Sequence, residues 1–152
     1  ETQIRELELA ALLHDFGKIV LLSINASLSE WIAEMTVNRQ IRTSTVLEET
    51  AIGMCHSTIG ELIATKWNLP SYLVETIRHH HAPLNVVGPN RDVVYSVYIA
   101  NKMCGIEDKR YDFYSVEDAV LDRFGIQGVI DFDRCHSECR EKLAVTAAAD
   151  RR

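Results

Sequence analysis

The chain has 152 residues, 47% of them apolar and 25% charged, with a net charge of -6; this is the make-up of one folded domain with a substantial core. The acidic balance weighs against a broad nucleic-acid surface and against attachment to anionic membranes, both of which need clustered Lys and Arg. No apolar run approaches the roughly 20 residues of a membrane-spanning helix.

The sequence begins at Glu1 already in a helical pattern and shows no signal peptide, so it is read as a fragment of a longer polypeptide. Leu7, Ala10, Ala11 and His14 recur at three- and four-residue intervals and predict a helix from about Gln3 to His14, which Gly17 is expected to end or bend. A short apolar piece, Ile19 to Ile24, follows and stops at Asn25. Ser27-Leu-Ser-Glu30, Thr45-Val-Leu-Glu48 and Thr58-Ile-Gly-Glu61 have capping-box spacing. They predict helices reaching about Asn38, Gly53 and Trp67.

Pro70 suits the first turn of a helix from Ser71 to about His80, which His81-Ala-Pro83 ends. Asn85 to Arg91 reads as a loop. Val93, Val94, Val97, Tyr98 and Ala100 form a helical stripe closing at Cys104-Gly105, before an irregular, polar stretch to Tyr114. Ser115-Val-Glu-Asp118 predicts a helix to about Phe124, and Asp133 to Ala148 a last one with a frayed Ala-rich tail. Gly128-Val-Ile130 gives a weak strand signal with no partner. The expected architecture is all-helical, with Trp67, Leu62, Ile63, Leu73 and Ile77 as core between two consecutive helices. Tyr95 and Tyr98 are expected to face the same interior as Asn101.

Within that frame, His14 and Asp15 stand at the end of an apolar helix, with Lys18 three residues on. An imidazole next to a carboxylate suits a divalent metal, and an ammonium nearby suits a phosphate; a surface lysine is the plainer alternative for Lys18. His56 and the run His79-His80-His81 also fall at predicted helix ends, where side chains can converge between helices. Neighbouring helical residues point about 100° apart, so the three consecutive histidines cannot all face one site from a regular helix. Glu48 and Glu49 are candidates to stand behind such ligands, although glutamates on a helix face are commonly solvated. Cys135-His136-x-x-Cys139 also invites a metal reading but lacks the further Cys/His pair of a closed zinc site. The four cysteines (Cys55, Cys104, Cys135 and Cys139) follow no disulfide spacing, which makes a reducing cytoplasm the expected compartment.

Leu13-His14-Asp15-Phe-Gly17-Lys18 resembles the signature of the HD superfamily of metal-dependent phosphohydrolases. Glu48, Gly53, His56, Ile59-Gly60, the Leu62-to-Pro70 segment and Ile77-Arg-His-His80-His81-Ala-Pro83 are similar to the HDOD branch, over about residues 5 to 104. The same parts are shared with HD-GYP cyclic-dinucleotide phosphodiesterases. The resemblance implies an HD-like helical bundle with a metal-type pocket between helices. His14, Asp15, His56, His80 and His81 would be metal ligands, Asp15 and Lys18 the catalytic pair, and the ion Mn, Fe, Zn or Mg.

Two departures stand against full activity. Asn101 follows Ile99-Ala100 where active relatives carry aspartate, and the family's first histidine is not found among the 13 residues before His14. The Gly-Tyr-Pro segment of the phosphodiesterases is also missing. The resemblance therefore implies a bacterial signalling module working through contacts with other signalling proteins or fused regulatory domains, with a nucleotide or phosphate as possible ligand. A phosphohydrolase is the alternative.

Overall fold

The computed structural model describes residues 2–24, 26–38 and 44–149, and in the last helix the side chains up to residue 145. Among these residues the fold is entirely helical. Its α-helices are α1 (Thr2–Leu13), α2 (Phe16–Ile24), α3 (Ala26–Asn38), α4 (Thr45–Ile52), α5 (His56–Lys66), α6 (Ser71–His79), α7 (Arg91–Glu107), α8 (Asp118–Arg123) and α9 (Val129–Ala149). Short 3-10 turns at Pro83–Asn85 and Phe113–Ser115 complete it. Asn25, read as a stop signal, lies outside the described residues.

Several helix boundaries differ from the sequence expectation for identifiable reasons. Only His14 and Asp15 separate α1 from α2, and Gly17 lies inside α2 rather than ending α1. Its value is close approach. A Cβ built on Gly17 would meet the His56 carbonyl oxygen at 2.0 Å, so α2 can cross the start of α5 only with hydrogen at that position. Gly60 repeats the device one turn along α5, where a Cβ would meet Ile77 Cγ2 at 2.6 Å.

Ser27 and Thr58 fall within helices rather than capping them, and the Thr58 hydroxyl takes a hydrogen bond from Arg78. The box at Thr45 is shifted by one residue. Ser44 stands at the N-cap position, and its hydroxyl donates to Glu48 Oε1 at 2.5 Å. Gly53 ends α4 in the left-handed conformation, φ 88°. Pro70 precedes the first turn of α6 rather than lying within it. The weak strand signal at Gly128-Val-Ile130 is the beginning of α9, and α9 carries the Ala-rich tail as helix to Ala149.

Two buried clusters hold the bundle. Ala10, Ala64, Leu73, Ile77 and Val97 join α1, α5, α6 and α7. Tyr95, Tyr98, Ile99 and Met103 of α7 pack with Val116, Val120, Leu121, Ile126 and Phe132 in the other. The two tyrosines thus belong to the core under α8 and α9, while Asn101 lines a cavity elsewhere. Gly105 does not close α7, since the helix runs on to Glu107 and the Tyr111 ring folds back against the glycine.

Leu73 and Ile77 are core as expected, but Trp67 is 65% exposed and Leu62 56%. Trp67 stacks on Phe16 from outside, ring centroids 6.2 Å apart. Trp67 stands at the C-cap of α5, beyond the Gly60 approach that Phe16 and Ile77 fill.

Candidate metal centre

The centre is built where α2, α5 and the end of α6 meet. The His14-Asp15 turn projects Asp15 from the start of α2, where its carbonyl accepts the Lys18 amide at 2.9 Å. His56 is the first residue of α5, brought within reach by the Gly17 crossing. The helical spacing argument at His79-His80-His81 is resolved by the end of α6 at His79. His80 and His81 sit in the turn that follows, so both rings reach the same place, centroids 4.1 Å apart. His79 is half-buried and takes no part in the cluster.

Four side chains converge: Asp15, His56, His80 and His81 offer ligand atoms that all lie within 4.8 Å of one another. Most are closer. Asp15 Oδ1 lies 3.2 Å from His56 Nε2 and 3.3 Å from His80 Nε2. His56 Nε2 lies 3.2 Å from His80 Nε2 and 3.1 Å from His81 Nε2. Donors about 2.0–2.2 Å from a common tetrahedral ion stand roughly 3.3–3.6 Å apart, so these separations lie at or just below the edges of a coordination polyhedron.

Protons do not explain the cluster as well. His56 Nδ1 faces Glu48 Oε2 at 2.7 Å, and a carboxylate can only accept, so the ring proton sits on Nδ1. His80 Nδ1 likewise donates to the Ile77 carbonyl at 2.9 Å. In the neutral rings both Nε2 atoms then present lone pairs to each other and to Asp15 Oδ1. That oxygen is buried with no hydrogen-bond partner. Three lone-pair donors turned on one another favour a cation between them, with Glu48 and the Ile77 carbonyl fixing the ring tautomers. Three imidazoles and one carboxylate fit Zn, Mn or Fe.

The electrostatics divide the four groups: His80 and His81 favour the neutral ligand form, whereas His56 favours a proton that a cation would have to displace. Burial alone would push the Asp15 carboxyl up, but His56, His80 and Lys18 outweigh it and hold it far below the usual carboxylate range. Burial, with His80 and His56 as neighbours, pushes His81 down to about 2 and keeps it the neutral ligand form. Burial also drives His80 down. For His56, burial is opposed by Asp15 and Glu48, and its affinity for a proton ends above normal. Glu48, 3% exposed, accepts the His56 amide and ring and remains ionised despite its burial. Glu49 is exposed.

His14 stands beside the four rather than among them. Its Nδ1 donates to the Ala11 carbonyl at 2.7 Å, and its Nε2 lies 3.5 Å from Asp15 Oδ2. That carboxylate oxygen also takes Lys18 Nζ at 2.6 Å. Oδ1 therefore faces the imidazoles while Oδ2 faces His14 and Lys18.

A cavity of about 470 Å³ opens on this centre, lined on its polar side by Asp15, Lys18, Glu48, His81 and Asn101. Arg110 and Tyr111 also line it, and sequence reasoning did not single them out. They follow α7 in a segment without periodicity, and only the fold of Tyr111 onto Gly105 brings them there. Cys135 and Cys139 stay with α9, where His136 binds Glu107 at 2.8 Å, and among the described residues they join no metal-type cluster.

Over 119 residues, 78% of this chain, the sequence is 27% identical to an uncharacterized protein of Treponema pallidum (strain Nichols). The chain spans about a quarter of that relative, 23% of its length. No solved structure matches. The HDOD domain model matches residues 1–83, from α1 to the turn that carries His80 and His81, short of the span to about residue 104 expected from the motifs. This match covers more than half of the sequence and every residue of the imidazole–carboxylate cluster, and the chain belongs to the HDOD family, a relative of the HD superfamily.

Proposed function

We propose that this HDOD domain is a bacterial signalling module in which Asp15, His56, His80 and His81 hold a divalent cation, with His14 beside them. The cation completes a site for a phosphate-containing ligand, and ligand occupancy is passed on through contacts with other signalling proteins or fused domains. The observation that carries the reading is the convergence of Asp15 Oδ1 and three imidazole Nε2 atoms, at 3.1 to 3.3 Å for the pairs around His56 and for Asp15 with His80. When bound, the ion supplies positive charge for an anionic oxygen and Lewis acidity.

The chain's own residues do the rest. Glu48 orients His56, the Ile77 carbonyl orients His80, and Lys18 holds Asp15 Oδ2 while presenting positive charge to the cavity. Asn101 supports a binding rather than a hydrolytic role, because it brings a neutral amide to the cavity and no added negative charge for a second ion. Among the described residues no helix is long and apolar enough to cross a membrane, and the cytoplasm is the proposed compartment.

A second reading, metal-dependent phosphohydrolase, is favoured by one observation: Asp15 turns its two oxygens to different neighbours, as a carboxylate bridging two ions does. The test measures metal content after reconstitution with Mn, Fe or Zn, and hydrolysis of a chromogenic phosphodiester and of cyclic dinucleotides. Stoichiometric metal with negligible turnover is expected. Enzyme-like turnover replaces the first reading with the second, and absence of metal removes both.

A further inference from the structure

The cavity has a second wall that metal binding does not use. Leu21 and Leu22 of α2 face Ile32, Ala33 and Val37 of α3 across it. Leu21 and Ile32 are buried, but Leu22 is 50% exposed and Val37 73%. These side chains turn an apolar surface toward a space that is also lined by Lys18, Arg110 and two residues of the candidate metal centre, Asp15 and His81.

We infer that the cavity takes an alkyl phosphate monoester, its phosphate at Lys18, Arg110 and the cation, its chain against Leu21, Leu22, Ile32, Ala33 and Val37. This rests on the metal reading. Without the ion Lys18 is paired with Asp15 at 2.6 Å and Arg110 with Asp108 at 2.8 Å, and the bound ion tips that end toward an anion.

A nucleoside monophosphate fits less well. A base needs partners for its polar edges, and the hydroxyls near the apolar wall are mostly committed: Thr36 donates to the Ile32 carbonyl at 2.7 Å and Ser44 to Glu48. Ser29 Oγ is buried without a partner, one polar atom against several apolar side chains. The aromatic residue in the lining is Tyr111, and one face of its ring is covered by Lys102 Nζ, 4.0 Å from the centroid, while its edge packs on Gly105. An alkyl chain asks for none of these polar partners, and burying it releases ordered water from Leu22 and Val37.

The test is calorimetric titration of the whole 152-residue chain, reconstituted with Mn, using octyl phosphate, inorganic phosphate, adenosine monophosphate and 1-octanol, with metal content measured on the same samples. Octyl phosphate is expected to bind at least about a hundredfold more tightly than the other three, the gain from burying several methylenes added to that from the head group. Val37→Asn, and independently the exposed Leu22→Asn, should remove that gain while leaving metal content and inorganic phosphate binding unchanged. Lys18→Ala should weaken both phosphates. With metal bound, equal affinity for octyl and inorganic phosphate, tighter binding of adenosine monophosphate, or equal binding of 1-octanol would overturn the inference alone. If no metal binds, the metal reading and the inference that rests on it fail together.

Discussion

Gly17→Ala puts the assembly of the site to a quantitative test, because its two effects have opposite signs. Gly17 lies inside α2, and an alanine in a helix interior is ordinarily worth about 1 kcal/mol of added stability. Against this, the new Cβ would lie 2.0 Å from the His56 carbonyl oxygen, 2.9 Å from its carbon and 3.1 Å from the Gly60 nitrogen. All three are backbone atoms of α5, so no rotamer change relieves the contact. A normal carbon–oxygen contact is longer by about 1 Å or more, and α2 must withdraw from α5 by about that distance.

Overpacking against backbone costs about 1–3 kcal/mol, and loss of contacts between α2 and α5 adds to it, so the net expectation is a destabilisation of about 1–2 kcal/mol. The same withdrawal moves Asp15 away from His56. A displacement of about 1 Å exceeds the roughly 0.5 Å within which a constellation of ligands stays productive, so cation affinity should drop by at least about tenfold. Urea denaturation gives the stability and calorimetric titration with Zn or Mn the affinity. A variant that is more stable than the parent and binds metal equally well would refute the account of Gly17 as the spacer between Asp15 and His56.

Three further outcomes follow from other contacts. Glu48→Gln removes the charge of a buried carboxylate whose Oε2 accepts both the amide and the ring of His56, and should lower cation affinity about 10–100-fold at unchanged stoichiometry, measured against a chromogenic chelator. Burial pushes the Tyr98 phenol up to about 12, while its hydroxyl donates to the Ser115 carbonyl and accepts the Glu117 amide. The unfolded chain loses this proton near the ordinary value of 10.0 and the folded chain only near 12, so the contribution is complete below pH 10 and is lost as the pH rises toward 12. Tyr98→Phe should cost about 1 kcal/mol at neutral pH and flatten that alkaline decline in denaturation curves. Trp67→Ser removes an exposed ring stacked on Phe16 and should change stability by less than about 1 kcal/mol, whereas Leu73→Ala, at a fully buried site, should cost about 2–5 kcal/mol.

The helical class and the order of the helices were legible in the chain itself, because they are written in local spacing, whereas the choice of ligands, His14 among them, came with the family resemblance. Three- and four-residue periodicity sets a helix face, and His and Asp are recognisable as possible ligands by residue type alone. Tertiary structure decided the rest. It separated Glu48, buried against His56, from Glu49, one residue away and solvated. It moved Trp67 from the expected core to the surface, at the C-cap of α5, where it stacks on Phe16 from outside. It ended α6 at His79, which freed His80 and His81 from the divergence that a continuous helix imposes. It also set His14 beside the cluster of four and brought Arg110 and Tyr111 across from beyond α7 to the cavity. The physical reason is the same each time. Spacing along a chain fixes which way a side chain leaves its own helix, but whether two backbones can approach within reach of one another is settled only by what stands between them, and at Gly17 that is a single hydrogen atom.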